Sequence, residues 1–205
     1  MGFKLTREII DLSTATTWDT AKLEWVFDLA YYSDEEQTCL CGHFPIRNIC
    51  VIRNRTNKVI TEVGNCCIKK FLGIDDGDKV FTSIKKLKED ISKSMSAEVV
   101  EYLYRKHAIN NYEYKFYLDI YRKRNLSGKQ EDIKRKINEK FLKFTSYETN
   151  SQFSKINLIL NWAHSNADFD TDFVLSVKRS CEKNGRLTDK QSLGLDNIIK
   201  RFGIT

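Results

Sequence analysis

Five of the six cysteines fall between positions 39 and 67, and the sixth, Cys181, stands alone. The chain begins MGFKLTREII, with no long apolar run and no small-residue cleavage site, so no signal peptide is expected. Without secretion, a tight Cys/His cluster favours a metal over a disulfide framework. Cys39, Cys41 and His43 alternate, so in an extended chain their side chains share one side. Gly42 lets the backbone turn tightly around an ion. Residues 45–53 and 58–63 are β-branched runs of strand length. The polar Asn54-Arg55-Thr56-Asn57 between them predicts a hairpin turn. Gly64-Asn65 breaks the second strand, and a short helix from Cys67 should stop at Gly73.

A knuckle, a hairpin and a helix that supplies a ligand in its first turn predict a treble-clef-like zinc module. A closed structural zinc takes four ligands. The expected set is Cys39, Cys41, His43 and Cys67, with Cys66 as the rival for the last place. Cys50, within the first strand, reads as a small buried hydrophobe. The alternatives are reduced core cysteines without metal, or a catalytic pair of Cys67 and His43. The spare thiols are explained better by a metal.

The segment CLCGHFPIRNICVIRNRTNKVITEVGNCCIKKF resembles one found in uncharacterised small zinc proteins of bacteriophages, bacteria and large viruses. The shared positions are Cys39, Cys41, Gly42, His43, Asn54, Thr56, Val63, Gly64, Cys67, Ile68 and Phe71. The resemblance covers about 35 of the 205 residues. It implies a zinc module, favours Cys67 over Cys66, and implies no particular activity.

The rest of the chain reads as helix. Its one proline is Pro45, and long Lys/Glu/Ile/Leu stretches follow. Trp18 and Trp25, with Leu23 and Leu29, predict an amphipathic N-terminal helix. A weak internal repeat appears after residue 90. Its first copy runs through His107, Phe116, Leu126-Ser127-Gly128-Lys129-Gln130, Ile133, Ile137 and Phe141. The second runs through His164, Phe173, Leu187-Thr188-Asp189-Lys190-Gln191, Leu195, Ile198 and Phe202. Ser127 with Gln130, and Thr188 with Gln191, have the spacing of capping boxes. Each copy predicts two helices, a turn at Asn125 or Gly185, and a third, capped helix. His107 and His164 hold matching places, which predicts a shared packing role.

The expected architecture is therefore mainly α, with a small β-hairpin treble-clef-like zinc module and a duplicated helical unit in the C-terminal half. Its parts are an N-terminal helical segment (1–36), the zinc module (37–74), helical repeat 1 (90–143) and helical repeat 2 (152–205).

The net charge of +6 is unevenly placed. Residues 85–143 carry 16 Lys/Arg against 9 Asp/Glu, while residues 1–84 carry 10 against 12. A basic middle third points to an anionic partner, of which nucleic acid is the commonest. The candidate contacts are Arg47, Arg53, Arg55 and Lys58 on the hairpin, and Lys69 and Lys70 on the helix after it. Arg122, Lys123, Arg124, Lys134, Arg135 and Lys136 follow downstream. Tyr102, Tyr104, Tyr112, Tyr114, Tyr117 and Tyr121 interleave with these charges. Cations hold phosphates and aromatic rings stack on unpaired bases.

The reading is a non-enzymatic, zinc-containing nucleic-acid-binding protein of a host-cell interior, the cytoplasm. No glycine-rich phosphate loop, His-Glu-x-x-His, Gly-x-Ser-x-Gly or kinase set is present. A module that grips and inhibits a host protein is the alternative. A zinc nuclease is a second one, weakened by a closed site without a general base. No run of 18 apolar residues predicts a membrane span, and no small-molecule substrate is evident. Met1-Gly2 is a loose fit to a myristoylation start. Asp75-Asp76-Gly77-Asp78 imitates a calcium loop but has Lys86 where the closing Glu belongs. Asp168, Asp170 and Asp172 read as a polar loop.

Overall fold

The computed structural model describes residues 3–72 and 76–204. The helix stop at Gly73, the Asp75 that begins the calcium-like run and the Met1-Gly2 pattern lie outside the described residues. The chain divides into two compact units, Met1–Thr82 and Ser83–Thr205. Among the described residues it is mainly helical, with one three-stranded antiparallel sheet. No helix is long and apolar enough to cross a membrane.

Unit 1 opens with α1 (Phe3–Asp11), which buries Leu5 and Ile9, four residues apart on one face. A short helix α2 (Trp18–Ala21) and a 3₁₀ turn (Lys22–Glu24) follow. The predicted helix through Trp25 and Leu29 is corrected here. Trp25–Gln37 is a thirteen-residue strand, β1. It pairs antiparallel with β2 (Ile46–Asn54), and β2 pairs with β3 (Ile60–Gly64). The apolar residues of this stretch include Val26, Phe27, Tyr31 and Tyr32, which suit a pleated surface. The paired edge of β2 supplies the hydrogen bonds that an isolated helix would have to make alone. The pairing register shifts between Phe27 and Leu29 and again between Tyr32 and Gln37. Each irregularity interrupts the alternation of faces and hides the strand from a period-two reading.

β2 is the central strand, and Ile49, Cys50, Val51 and Ile52 are all buried. Both of its faces are covered, so it reads as a continuous apolar run. Tyr31, Ile49 and Val51 form a cluster against which Leu29, Ile46 and Ile60 pack. The predicted turn joins β2 to β3. The Asn54 side chain accepts from the amides of Thr56 (2.8 Å) and Asn57 (3.2 Å). Lys58 takes a left-handed conformation, φ 65°. The other end of Asn54 donates to Glu24 Oε2 at 2.6 Å. Glu24 also accepts from the amides of Thr14 and Ala15, so one carboxylate fastens the α1–α2 linker to the hairpin tip.

β3 runs directly into α3 (Asn65–Leu72), and α4 (Asp76–Glu89) spans the point where the two units divide. In unit 2 come α5 (Ala97–Arg105), α6 (Asn111–Ile120), α7 (Gly128–Phe144), α8 (Tyr147–Ala163), α9 (Asp172–Asn184) and α10 (Asp189–Phe202). Both predicted capping boxes are present, Ser127 with Gln130 and Thr188 with Gln191. A third one, Asn110 with Glu113, starts α6. Gly185 ends α9 in the left-handed conformation, φ 62°. The expected boundary at 152 falls inside α8 rather than between elements. The paired-histidine expectation is corrected as well: His107 and His164 are both exposed, and His107 alone has positive φ, 57°.

The buried face of α7 carries Lys134, Ile137, Asn138 and Phe141. Asn138 is wholly buried and fully used. It donates to the carbonyls of Ile91 (2.7 Å) and Lys93 (2.8 Å) and accepts from the Tyr117 hydroxyl (2.5 Å). Tyr117 in turn accepts from the amide of Met95. Burial pushes the Tyr117 phenol up to about 12. Trp162, Phe169 and Phe202 form a second cluster, with ring centroids 5.1–5.4 Å apart.

Candidate metal centre

The Cys39–His43 segment folds as a tight knuckle. The Cys39 amide donates to the His43 carbonyl at 2.9 Å, and the Gly42 amide returns to the Cys39 carbonyl at 2.7 Å. Gly42 sits at φ +86°, where a side chain is strained, and a Cβ there would meet the Lys4 chain at 3.1 Å. The knuckle faces the junction of β3 and α3. Cys67 is the third residue of α3, and its sulfur lies 3.6 Å from that of Cys39.

The sulfurs of Cys39, Cys41 and Cys67 all lie within 4.8 Å of one another, a group able to hold a metal ion. Zinc–thiolate bonds of about 2.3 Å in a tetrahedron put sulfurs about 3.8 Å apart. The cluster therefore fits a tetrahedral metal without rearranging the backbone. The surroundings act differently on the thiols. The Gly64 amide, at the end of β3, donates to the Cys39 sulfur at 3.2 Å. Desolvation works to raise the Cys41 thiol, but the His43 amide and the neighbouring sulfurs outweigh it and hold it below its ordinary value. Burial pushes the Cys67 thiol up, and the adjacent sulfurs of Cys41 and Cys39 add to that. Three thiols this close cannot all ionise cheaply without a cation between them.

The remaining cysteines lie outside the three-sulfur group. Cys66 precedes Cys67 on α3 and is exposed. Successive helix positions point about 100° apart, so only one of the two can face the knuckle. Cys50 is buried in β2, and burial raises its thiol to about 12. Cys181 is buried in α9, raised to about 12 by the same cause. His43 is exposed and outside the three-sulfur group, but it lines the same cavity of about 640 Å³, as do Cys66 and Lys70. The Gly64 amide is the part of the site that residue chemistry alone did not reveal. A Cβ at Gly64 would meet the Cys39 sulfur at 3.7 Å, an ordinary contact, so the residue type there carries no signal of this bond.

The predicted nucleic-acid contacts are scattered between exposed and engaged positions. Arg53, Arg55, Lys58 and Lys70 in unit 1 are exposed. Arg122, Arg124 and Lys136 in unit 2 are also exposed, while Arg135, exposed too, pairs with Asp132 at 3.3 Å. Arg47 is turned back on β1, donating to the Asp34 carbonyl with its guanidinium 3.4 Å from Glu36. Lys69 pairs with Asp78, and Lys123 with Asp119, each at 2.7 Å.

Lys134 is a correction. It is buried on α7 and donates to the Ser92 carbonyl at 2.6 Å. Desolvation lowers its amine below the ordinary lysine value. Helical spacing from Ile137, Asn138 and Phe141 places it on the inner face, although it reads in sequence as part of a charge run.

The tyrosines divide in the same way. Tyr102 and Tyr117 are core residues, and Tyr104 stacks on Tyr114 at 4.5 Å. Tyr112 is the most exposed of the set, 63%. Among the described residues no acidic group joins the metal cluster, and Asp170 accepts from the Asp172 amide at the start of α9. No protein family, curated protein or solved structure matches the chain.

Proposed function

We propose that this chain is a non-enzymatic nucleic-acid-binding protein built around one structural zinc. The three converging sulfurs of Cys39, Cys41 and Cys67 support the zinc, and the exposed cations support the nucleic-acid partner. His43 supplies the fourth ligand, by a change of side-chain rotamer at the rim of the cavity it already lines. A site closed by four protein ligands has no open position for a substrate or an attacking water. Its work is mechanical: it holds the knuckle against the β2–β3 hairpin and α3, a treble-clef-like arrangement. The hairpin then presents Arg53, Arg55 and Lys58, all exposed, at its outer end. Unit 2 adds the exposed cations of α7 and of the segment before it. On this reading α5–α7 and α8–α10 are two copies of one three-helix unit. The matched boxes at Ser127 and Thr188 support that relation.

Metal analysis of purified protein should give about one zinc per chain. A Cys39→Ser, Cys41→Ser double variant that retains all of it disproves the site. Zinc-loaded protein should shift labelled DNA or RNA at low salt, with affinity falling steeply as salt rises. An absent shift at low salt sinks the nucleic-acid reading. A single dominant protein in a pull-down that survives nuclease treatment would replace it with the host-protein reading.

A further inference from the structure

Four cations without an ion-pair partner among the described residues line one groove of unit 2, and only Lys136 belongs to a charge run that stands out in the sequence. The C-terminal half of α7 and the corner between α9 and α10 enclose an open groove of about 840 Å³. Its walls carry Lys136, Lys140 and Lys143 from α7, and Lys183 and Arg186 from the corner. Two carboxylates, Glu139 and Asp189, also line it. Lys140 is already committed to Glu113 at 2.5 Å. Among the described residues Lys136, Lys143, Lys183 and Arg186 have no ion-pair partner. Asp189 stands in the first turn of α10, where the helix dipole favours a negative charge.

The groove is held to a fixed shape. Thr149, fully buried at the start of α8, has its hydroxyl within hydrogen-bond reach of the Lys143 carbonyl (2.7 Å) and the Gly185 carbonyl, which share its single proton. Gly185 takes φ +62°, and a Cβ there would meet Lys143 Cγ at 3.1 Å. The aliphatic stem of Lys143 thus lies over the corner glycine, next to Arg186. Several unpaired cations along one channel repel one another, and a line of anions relieves that repulsion better than a single anion does.

We infer that this groove is the track for a nucleic-acid backbone, with Lys136, Lys143, Lys183 and Arg186 as its phosphate contacts. The inference rests on the nucleic-acid reading and names the surface that would carry it. Glycine at 185 and threonine at 149 act through the spacing of those cations and touch no phosphate themselves.

The test uses the full-length, zinc-loaded chain and fluorescence anisotropy with labelled mixed-sequence oligonucleotides, single- and double-stranded, over a salt series. One variant combines Lys143→Gln, Lys183→Gln and Arg186→Gln. A charge-matched control combines Lys85→Gln, Lys115→Gln and Lys129→Gln, all exposed elsewhere on unit 2. The groove variant should lose about tenfold or more in affinity at low salt, and its log–log salt slope on single strands should fall by about two. The control should change affinity by less than about threefold, as a pure net-charge effect.

Equal losses in the two variants, or an unchanged slope in the groove variant, overturn the groove while leaving nucleic-acid binding intact. Competition by millimolar inorganic phosphate as effective as by unlabelled oligonucleotide also overturns it, because the groove would then be a simple anion site. No binding by the unsubstituted chain removes both readings together. Circular dichroism checks that each variant folds. Lys183→Gln alone, on an exposed helix position, should still lower the slope by about 0.7.

Discussion

The two units hold themselves together by different means. Unit 1 has short helices, one small sheet and a cluster of three thiols lining a cavity. Its loops are fastened by single polar groups, such as Glu24 at the hairpin tip and the Gly64 amide at Cys39. Unit 2 has longer helices, side-chain caps at most of their starts, and a buried network from Met95 through Tyr117 to Asn138. If the three thiols of unit 1 hold a metal, its binding free energy adds to the folding of that unit. A helical array of over a hundred residues can rely on its core.

The sharpest way to break that comparison is to remove the metal. Chelation, or Cys39→Ser, should strip hydrogen-exchange protection from the amides of β1, β2 and β3. The amides of α5 to α10 should keep theirs. Most of the far-ultraviolet helical signal should therefore remain. Parallel loss of protection in both units would show that they are stabilised together, and the contrast would fall.

The second test strikes unit 2 where a polar group is its weak point. Asn138→Ala removes two donors and one acceptor from a site with no access to water. The Tyr117 hydroxyl and the carbonyls of Ile91 and Lys93 are left without their partner. The expected cost is about 3 kcal/mol, read by chemical denaturation. Zinc content should not change. A cost under about 1 kcal/mol would mean that water replaces the side chain, and that the network is less closed than its geometry indicates.

These contrasts also explain what was legible in the sequence. Of the expected ligands, Cys67 joins the sulfur group from 28 residues away and His43 lies outside it, while Cys39 and Cys41 were readable because they share one local turn with Gly42. The capping boxes at Ser127 and Thr188 were readable for the same reason: three residues fix the whole motif. β1 was not. Its apolar residues satisfy a helical spacing, its alternation is interrupted near Asp28 and again after Tyr32, and its decisive partner is a strand about twenty residues away. By residue type Lys134 belongs to a charge run, whereas its helical phase puts it on the inner face. The α7–α10 groove was invisible because Lys143, Lys183 and Arg186 are separate in sequence, and only the corner at Gly185 brings them together.

The caps give a smaller effect with a clear direction. Ser127→Ala and Thr188→Ala should each cost about 1 kcal/mol, a shift of about 2–4 °C in the melting temperature. Gln130→Ala should cost less, since it removes only the return bond to the cap amide, and Gln191→Ala slightly more than Gln130→Ala, since Gln191 also accepts from the Thr188 hydroxyl. If α5–α7 and α8–α10 are copies of one unit, the two serine/threonine costs should agree within about 0.5 kcal/mol. A large disagreement would weigh against a shared origin of the two helices.

The smallest expected effect concerns Glu24, and it separates polar fastening from metal in unit 1. The Asn54 side chain, followed by the amides of Thr14 and Ala15, holds this carboxyl below its ordinary value of 4.5. A carboxylate whose folded value is depressed stabilises the fold above its ordinary value, and that contribution disappears as pH falls through the depressed one. Acid also protonates the thiolates and releases metal, so the melting temperature alone would mix two causes. The difference between the unsubstituted chain and Glu24→Gln isolates one of them, because both chains carry the same cysteines. That difference should be positive at neutral pH and should shrink as pH drops below about 4.5. It should survive in chelated protein only to the extent that the hairpin tip remains folded without metal. A gap that stays constant from neutral pH to pH 3 would mean that the glutamate's charge contributes nothing, and that the metal centre alone sets the acid sensitivity of unit 1.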